Sequence, residues 1–122
     1  MVKILAVDDD PDITISVKEG LERQGFEVDI YNDPVRAVGE FRPNTYRLAL
    51  LDMSMPGMGG FEVFREIRKR DPGIKICFVT AFDLDYNDIV ASFPASPKQC
   101  VIKKPLGIRR LVTHIRSELG LE

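Results

Sequence analysis

The sequence lacks the features expected of a zinc protein or a membrane protein. It has one histidine and two cysteines that form no CxxC pair, so no zinc site is expected. No apolar run approaches the roughly 20 residues needed to cross a bilayer, and no signal peptide is visible. We therefore predict a cytoplasmic protein without a membrane partner, in which Cys77 and Cys100 are buried, reduced thiols.

The chain also lacks strong charge of either sign. Its formal net charge of −2 argues against direct nucleic-acid binding by this domain, because such binding depends on neutralising phosphates. No GxGxxG follows the first apolar run, and the acidic loop there would repel a dinucleotide or flavin phosphate. The length of 122 residues, without repeats or low-complexity segments, predicts one globular domain over residues 1–122.

The sequence does contain a regular alternation of apolar runs and amphipathic segments. The apolar runs predict five strands, at 3–7, 26–31, 48–52, 74–79 and 100–102. The segments between them predict helices that begin at Pro11, Pro34, Phe61 and Ile108, and a shorter helix over 85–93 that Pro94 and Pro97 cannot continue.

This alternation predicts an α/β fold of the flavodoxin-like type. Strands that alternate with helices form a doubly wound parallel sheet, here five-stranded, with helices on both faces. The second strand alternates strictly between apolar and polar residues, so we expect it at an edge of the sheet, whereas the other strands are continuous apolar runs. The expected strand order is 2-1-3-4-5, in which ligands bind at the carboxyl ends of strands one and three.

Charged and polar side chains stand at four neighbouring strand ends: Asp8 and Asp9, Asp52, Thr80 and Lys104. Two carboxylates about 4 Å apart repel by roughly 4 kcal/mol at an effective dielectric near 20, so such a cluster needs either a nearby cation or a raised carboxyl pKa. Oxygen ligands suit Mg²⁺, which keeps positions free for a phosphate oxygen. Asp52 is then the candidate nucleophile that forms an acyl phosphate, while Lys104 and Thr80 contact the phosphoryl group.

The same residues carry a family resemblance. The acidic pair, the run Asp52-Met53-Ser54-Met55-Pro56-Gly57-Met58-Gly59-Gly60, and the pairs Thr80-Ala81 and Lys104-Pro105 resemble the chemotaxis-regulator-like receiver domain of two-component response regulators. The resemblance covers essentially the whole chain. It implies a signalling domain rather than an enzyme, with a phosphorelay in which Asp52 accepts a phosphoryl group from the phosphohistidine of a sensor histidine kinase or phosphotransfer protein.

The resemblance also implies how the metal is held. Asp8 and Asp9 would bind Mg²⁺, Asp9 more directly, together with Asp52 and the backbone carbonyl of Ser54. Mn²⁺ or Ca²⁺ can substitute for Mg²⁺ in this expectation. Gly60 would permit a tight turn into the third helix.

The resemblance further implies how the phosphoryl group is sensed. Lys104 would bind it, and the peptide bond from Lys104 to Pro105 is expected to be cis. Thr80 would move toward the phosphate and shift a partner-binding face between two populations. Ser54 and Phe82 occupy positions that tune dephosphorylation, and a shielding Phe82 predicts slow hydrolysis of the acyl phosphate.

The chain departs from the family pattern on the expected output side. Val101 stands where the family has its switch aromatic residue, and Pro94 and Pro97 interrupt the fourth helix. We therefore predict a nonstandard surface for an output partner. A homodimer through the face of the fourth helix, fifth strand and last helix, or through the first and last helices, is also open.

Two further alternatives stay open at this point. One is a degenerate receiver domain, a binding module that is never phosphorylated. The other is a phosphohydrolase with an aspartate nucleophile, which needs a general acid, usually an Asp two positions after the nucleophile. Ser54 occupies that position, which disfavours the phosphohydrolase.

Overall fold

The computed structural model describes residues 1–81 and 100–121, which form a five-stranded parallel sheet with helices on both faces. The strands are β1 (Lys3–Val7), β2 (Glu27–Tyr31), β3 (Leu48–Asp52), β4 (Lys75–Thr80) and β5 (Cys100–Lys103). The helices in these residues are α1 (Pro11–Arg23), α2 (Pro34–Glu40), α3 (Gly60–Arg70) and α4 (Ile108–Leu119). The strand order is β2-β1-β3-β4-β5, so the predicted fold and order are confirmed.

The ends of the helices follow from local chemistry. Asp10 caps α1 by accepting from the N–H of Asp12 at 2.9 Å, and Asp33 caps α2 by accepting from the N–H of Val35 at 3.0 Å. A proline at the first helical position follows each cap. Gly120 ends α4 in the left-handed conformation, with φ of 67°. The predicted short helix over 85–93 lies outside the described residues, as do Pro94 and Pro97.

Two apolar clusters sandwich the sheet. Because successive residues of a strand face opposite sides, Ile4 belongs to one cluster and Leu5 to the other. The central strands are buried on both faces, which explains their continuous apolar runs. The helices contribute to both clusters: α1 and α4 supply one with Val17, Leu21, Leu111 and Ile115, and α2 and α3 supply the other with Ala37, Val38, Val63 and Ile67.

None of the helices in the described residues is both long enough and apolar enough to span a membrane.

The prediction of reduced thiols was wrong, because the structure joins Cys77 and Cys100 in a disulfide. The parallel register places Cys77 of β4 directly opposite Cys100 of β5, and their Cα atoms are 4.5 Å apart, within the range that a disulfide spans. Both residues are buried in the cluster beneath α1 and α4. Sequence alone did not reveal this pairing because it depends on the register of two strands 23 positions apart.

We expect reduction of this disulfide to lower the free energy of unfolding by about 3 kcal/mol. The bond spans a sequence separation of 23, and a cross-link of that length removes conformational entropy mainly from the unfolded chain. Urea unfolding with and without a thiol reductant measures the difference. A Cys100→Ala variant is the control, because reductant should not shift its curve. Coincident curves for the parent protein would contradict the expectation.

Candidate functional site

The acidic residues predicted as a cluster meet at the carboxyl edge of the sheet. Asp8 follows β1 and Asp52 ends β3, and these two strands are adjacent and parallel. Asp8, Asp9 and Asp52 each offer one carboxylate oxygen, and these oxygens all lie within 4.8 Å of one another. The side chains of Asp8 and Asp52 are buried, whereas Asp9 is exposed. The cluster is therefore open to solvent on the side of Asp9.

Lys104 bridges the two buried carboxylates. Its Nζ lies 3.1 Å from Oδ2 of Asp8 and 3.5 Å from Oδ2 of Asp52. Burial lowers the pKa of Lys104, but its hydrogen bonds and charge interactions with both aspartates outweigh burial and leave this pKa raised. The backbone N–H of Lys104 donates to the carbonyl of Thr80 at 2.8 Å, and its peptide bond to Pro105 is cis, as expected. The ammonium is thus held at the site in its charged form.

The cluster carries more negative charge than Lys104 can neutralise. Burial, and next the charge of Asp8, raise the pKa of Asp52 to about 6, although the N–H of Ser54 donates to Oδ1 of Asp52 at 3.3 Å. Three ionised carboxylates beside one ammonium leave an excess of two negative charges. Donors that are all oxygen, with this excess charge, fit a hard divalent cation such as Mg²⁺.

Gly60 allows α3 to start close behind Asp52. A β carbon on Gly60 would lie 2.5 Å from the carbonyl oxygen of Asp52 and 3.1 Å from Cα of Met53. The N–H of Gly60 donates to the carbonyl of Met53 at 3.4 Å. The loop between β3 and α3 can therefore fold tightly beside Asp52 only because residue 60 has no side chain.

The remaining predicted residues lie around this cluster or outside the described residues. Thr80 is buried at the end of β4, next to the strand that leads to Lys104. The ligand role of the Ser54 carbonyl stays a prediction. Val101 lies opposite Phe78 in the strand register and packs against the cluster beneath α2 and α3. Phe82 lies outside the described residues.

Two residues that the sequence did not single out contact the acidic turn. Nδ2 of Asn32 donates to the carbonyl of Asp8 and to Oγ1 of Thr14, each at 2.9 Å. Oγ1 of Thr14 in turn donates to the carbonyl of Pro11 at 3.2 Å. The sequence gives no signal for these contacts, because Asn32 reaches the turn only through the pairing of β2 with β1.

A doubly wound, five-stranded parallel sheet in the order β2-β1-β3-β4-β5 is the fold of CheY-like receiver domains. A family model described as the response regulator receiver domain matches residues 4–116. The chain therefore belongs to the response regulator receiver domain family of two-component signal transduction.

Individual relatives agree with this family. The chain is 36% identical to the regulatory protein VanRB of Enterococcus faecalis over 118 residues, which cover 97% of this chain and 52% of the relative. It is 31% identical to the response regulator receiver protein CpdR of Brucella abortus over 119 residues, which cover 98% of both chains. The chain thus spans about half the length of VanRB and of the similarly matched CpxR homolog of Haemophilus influenzae.

Solved structures show the same fold. A CheY-like response regulator receiver domain protein from Methanospirillum hungatei superposes with a TM-score of 0.82 at 32% identity, covering 98% of this chain and 94% of that one. The HemR receiver domain from Leptospira biflexa superposes with a TM-score of 0.85 at 24% identity, covering 100% of this chain and 97% of that one. At that lower identity the likeness shows the fold alone.

Proposed function

We propose that Asp52 accepts a phosphoryl group from the phosphohistidine of a sensor histidine kinase or phosphotransfer protein. The observation that supports this most directly is the convergence of three carboxylates within 4.8 Å, with the ammonium of Lys104 between two of them. A carboxylate nucleophile, oxygen ligands for a divalent cation and a fixed cation for the phosphoryl group are the parts that this transfer needs.

The transfer is a substitution at phosphorus. A carboxylate oxygen of Asp52 forms a bond to phosphorus while the bond from phosphorus to the imidazole nitrogen breaks, and the electron pair of that bond stays on the imidazole. The product is an acyl phosphate on Asp52. Lys104 would pair with the phosphoryl oxygens, and the hydroxyl of Thr80 would donate to one of them.

We propose that the transfer depends on Mg²⁺. Asp8, Asp9, Asp52 and the backbone carbonyl of Ser54 would hold the ion, and Mn²⁺ or Ca²⁺ can take its place. When bound, the ion supplies positive charge that offsets repulsion between the carboxylates and the incoming phosphoryl group. Burial first, and the charge of Asp8 next, raise the pKa of Asp52, so a bound cation that offsets the charge of Asp8 would favour the ionised, nucleophilic form of Asp52.

Membership of the receiver domain family supports a proposal for the wider role of the chain. We propose that residues 1–122 form one receiver domain that acts as a cytoplasmic signalling switch rather than as an enzyme, with slow dephosphorylation of Asp52. Its output partner would bind a face that phosphorylation alters, without direct contact to nucleic acid or membrane. A homodimer through the first and last helices, or through the face around β5, is part of the same proposal.

Acetyl phosphate provides the test of phosphoryl transfer. Incubation with acetyl phosphate and Mg²⁺ should add about 80 Da to the intact mass, as a base-labile adduct that a chelator prevents from forming. Peptide mapping should place the adduct on Asp52. Absence of the adduct at millimolar Mg²⁺ would contradict the proposal and favour a degenerate receiver domain.

A further inference from the structure

We infer that Asn32 is a positioning residue for the acidic turn, acting together with Thr14. This inference rests on the proposed function, because it concerns how the carboxylates of Asp8 and Asp9 are held in place for a divalent cation. The hydrogen bonds that the side chains of Asn32 and Thr14 donate go to the turn and to each other, rather than to a carboxylate of the cluster.

Asn32 stands at a fixed point of the fold. It directly follows β2, whose last residue, Tyr31, accepts a hydrogen bond from the N–H of Asp8 at 3.1 Å. It directly precedes Asp33, which caps α2. The backbone of Asn32 is fixed on one side by a paired strand and on the other by a capped helix. Its side-chain amide can therefore restrain the neighbouring loop.

The amide of Asn32 holds the turn at two places. One hydrogen bond goes to the carbonyl of Asp8, immediately before Asp9. The other goes to Oγ1 of Thr14, which is 1% exposed and donates to the carbonyl of Pro11, two residues beyond Asp9. Asp9 is therefore flanked by two backbone carbonyls, of Asp8 and Pro11, that the side chains of Asn32 and Thr14 connect through a series of hydrogen bonds.

This restraint matters because the turn carries mutually repelling charges. Asp9 is exposed, and its carboxylate oxygen lies within 4.8 Å of oxygens from Asp8 and Asp52. Like charges at that distance favour a turn that swings Asp9 out into solvent. The hydrogen bonds of Asn32 and Thr14 oppose this movement, so that the carboxylates of the cluster are held close together before an ion binds.

The test is Mg²⁺ affinity, measured by isothermal titration calorimetry at a temperature well below unfolding. Asn32→Ala should weaken Mg²⁺ binding about tenfold, the loss typical when a group that orients a metal ligand is removed. Thr14→Val should weaken it by a smaller factor, and Thr14→Ser should restore it. Because Asn32 and Thr14 act through the same series of hydrogen bonds, their effects should not be additive. The Asn32→Ala, Thr14→Val double variant should lose less Mg²⁺ affinity than the product of the two single-variant factors.

Two comparisons separate positioning from a general loss of structure. Thr113→Val is a control for the loss of a threonine hydroxyl far from the turn, since the hydroxyl of Thr113 donates to the carbonyl of Arg109 within α4 and should not affect Mg²⁺ binding. Asp9→Ala gives the scale for loss of a ligand itself. Asn32→Ala with a Mg²⁺ affinity within about twofold of the parent protein would overturn the inference, whatever its unfolding free energy. A parent protein that does not bind Mg²⁺ would instead contradict the proposed function.

Discussion

Asp52→Asn is expected to abolish phosphorylation by acetyl phosphate and at the same time to make the protein more stable at pH 7. The amide is a much weaker nucleophile than the carboxylate, so the adduct should fall by at least about 100-fold. The gain in stability has a separate cause, because the native state raises the pKa of Asp52 from 3.8 to about 6, through burial first and the charge of Asp8 next. The amide side chain of the variant would carry no charge to bury.

The direction of the pH dependence follows from that raised pKa. Between about pH 4 and pH 6 the folded protein keeps a proton on Asp52 that the unfolded chain has released, so stability falls as the pH rises through this window. Above about pH 6 the folded protein bears the full cost of holding an ionised Asp52 in a buried position beside Asp8. In the presence of a chelator, the free energy of unfolding of the Asp52→Asn variant should therefore be about 1–3 kcal/mol higher than that of the parent protein at pH 7. This difference should vanish near pH 4.

Urea unfolding across this pH range measures the difference, and Asp29→Asn is the matched control. Burial alone would raise the pKa of Asp29, but the hydroxyl of Tyr46 and the ammonium of Lys3 outweigh it and leave that pKa lowered. Loss of the Asp29 charge should therefore destabilise the protein at pH 7. An Asp52→Asn variant that is less stable than the parent at pH 7 would show that Lys104 outweighs the burial of Asp52.

Gly60→Ala is expected to lower the free energy of unfolding by about 3 kcal/mol and to weaken Mg²⁺ binding. The added carbon would lie 2.5 Å from the carbonyl oxygen of Asp52, and the neighbouring atoms are backbone, which cannot move aside as a flexible side chain can. The loop that positions Asp52 must then shift as a whole.

Gly39→Ala provides the control for this substitution. Gly39 is also helical, in α2, but a β carbon there would meet no atom within 4 Å. Since alanine favours a helix over glycine, this variant should be neutral or up to about 1 kcal/mol more stable. Thermal unfolding and calorimetric titration with Mg²⁺ compare the two variants. Equal stability of both would contradict the role given to Gly60.

The architecture could be predicted from sequence because each element carries its own signal. The alternating pattern of β2 placed it at an edge, and the unbroken apolar run of β3 placed it in the centre, which together gave the observed order. The acidic cluster followed from that order, since neighbouring parallel strands bring their carboxyl ends together. The observed strand ends lie within one residue of the predicted ones.

Contacts between elements could not be predicted in the same way. The bond between Cys77 and Cys100 requires knowledge of the register of β4 against β5. The contacts of Asn32 with Asp8 and Thr14 require the geometry at the end of β2, and nothing in the local sequence distinguishes Asn32 from an ordinary loop residue. These interactions join distant parts of the chain, so they depend on three-dimensional placement rather than on residue pattern.

The disulfide has a consequence for how a signal could leave the proposed phosphorylation site. It joins β4 to β5 a few residues before Thr80 and Lys104, and the carbonyl of Thr80 accepts from the N–H of Lys104 just beyond it. Sliding or parting of these two strands is therefore blocked while the bond is intact. Reduction of the disulfide would remove this covalent restraint between β4 and β5 without altering a charge at the acidic site.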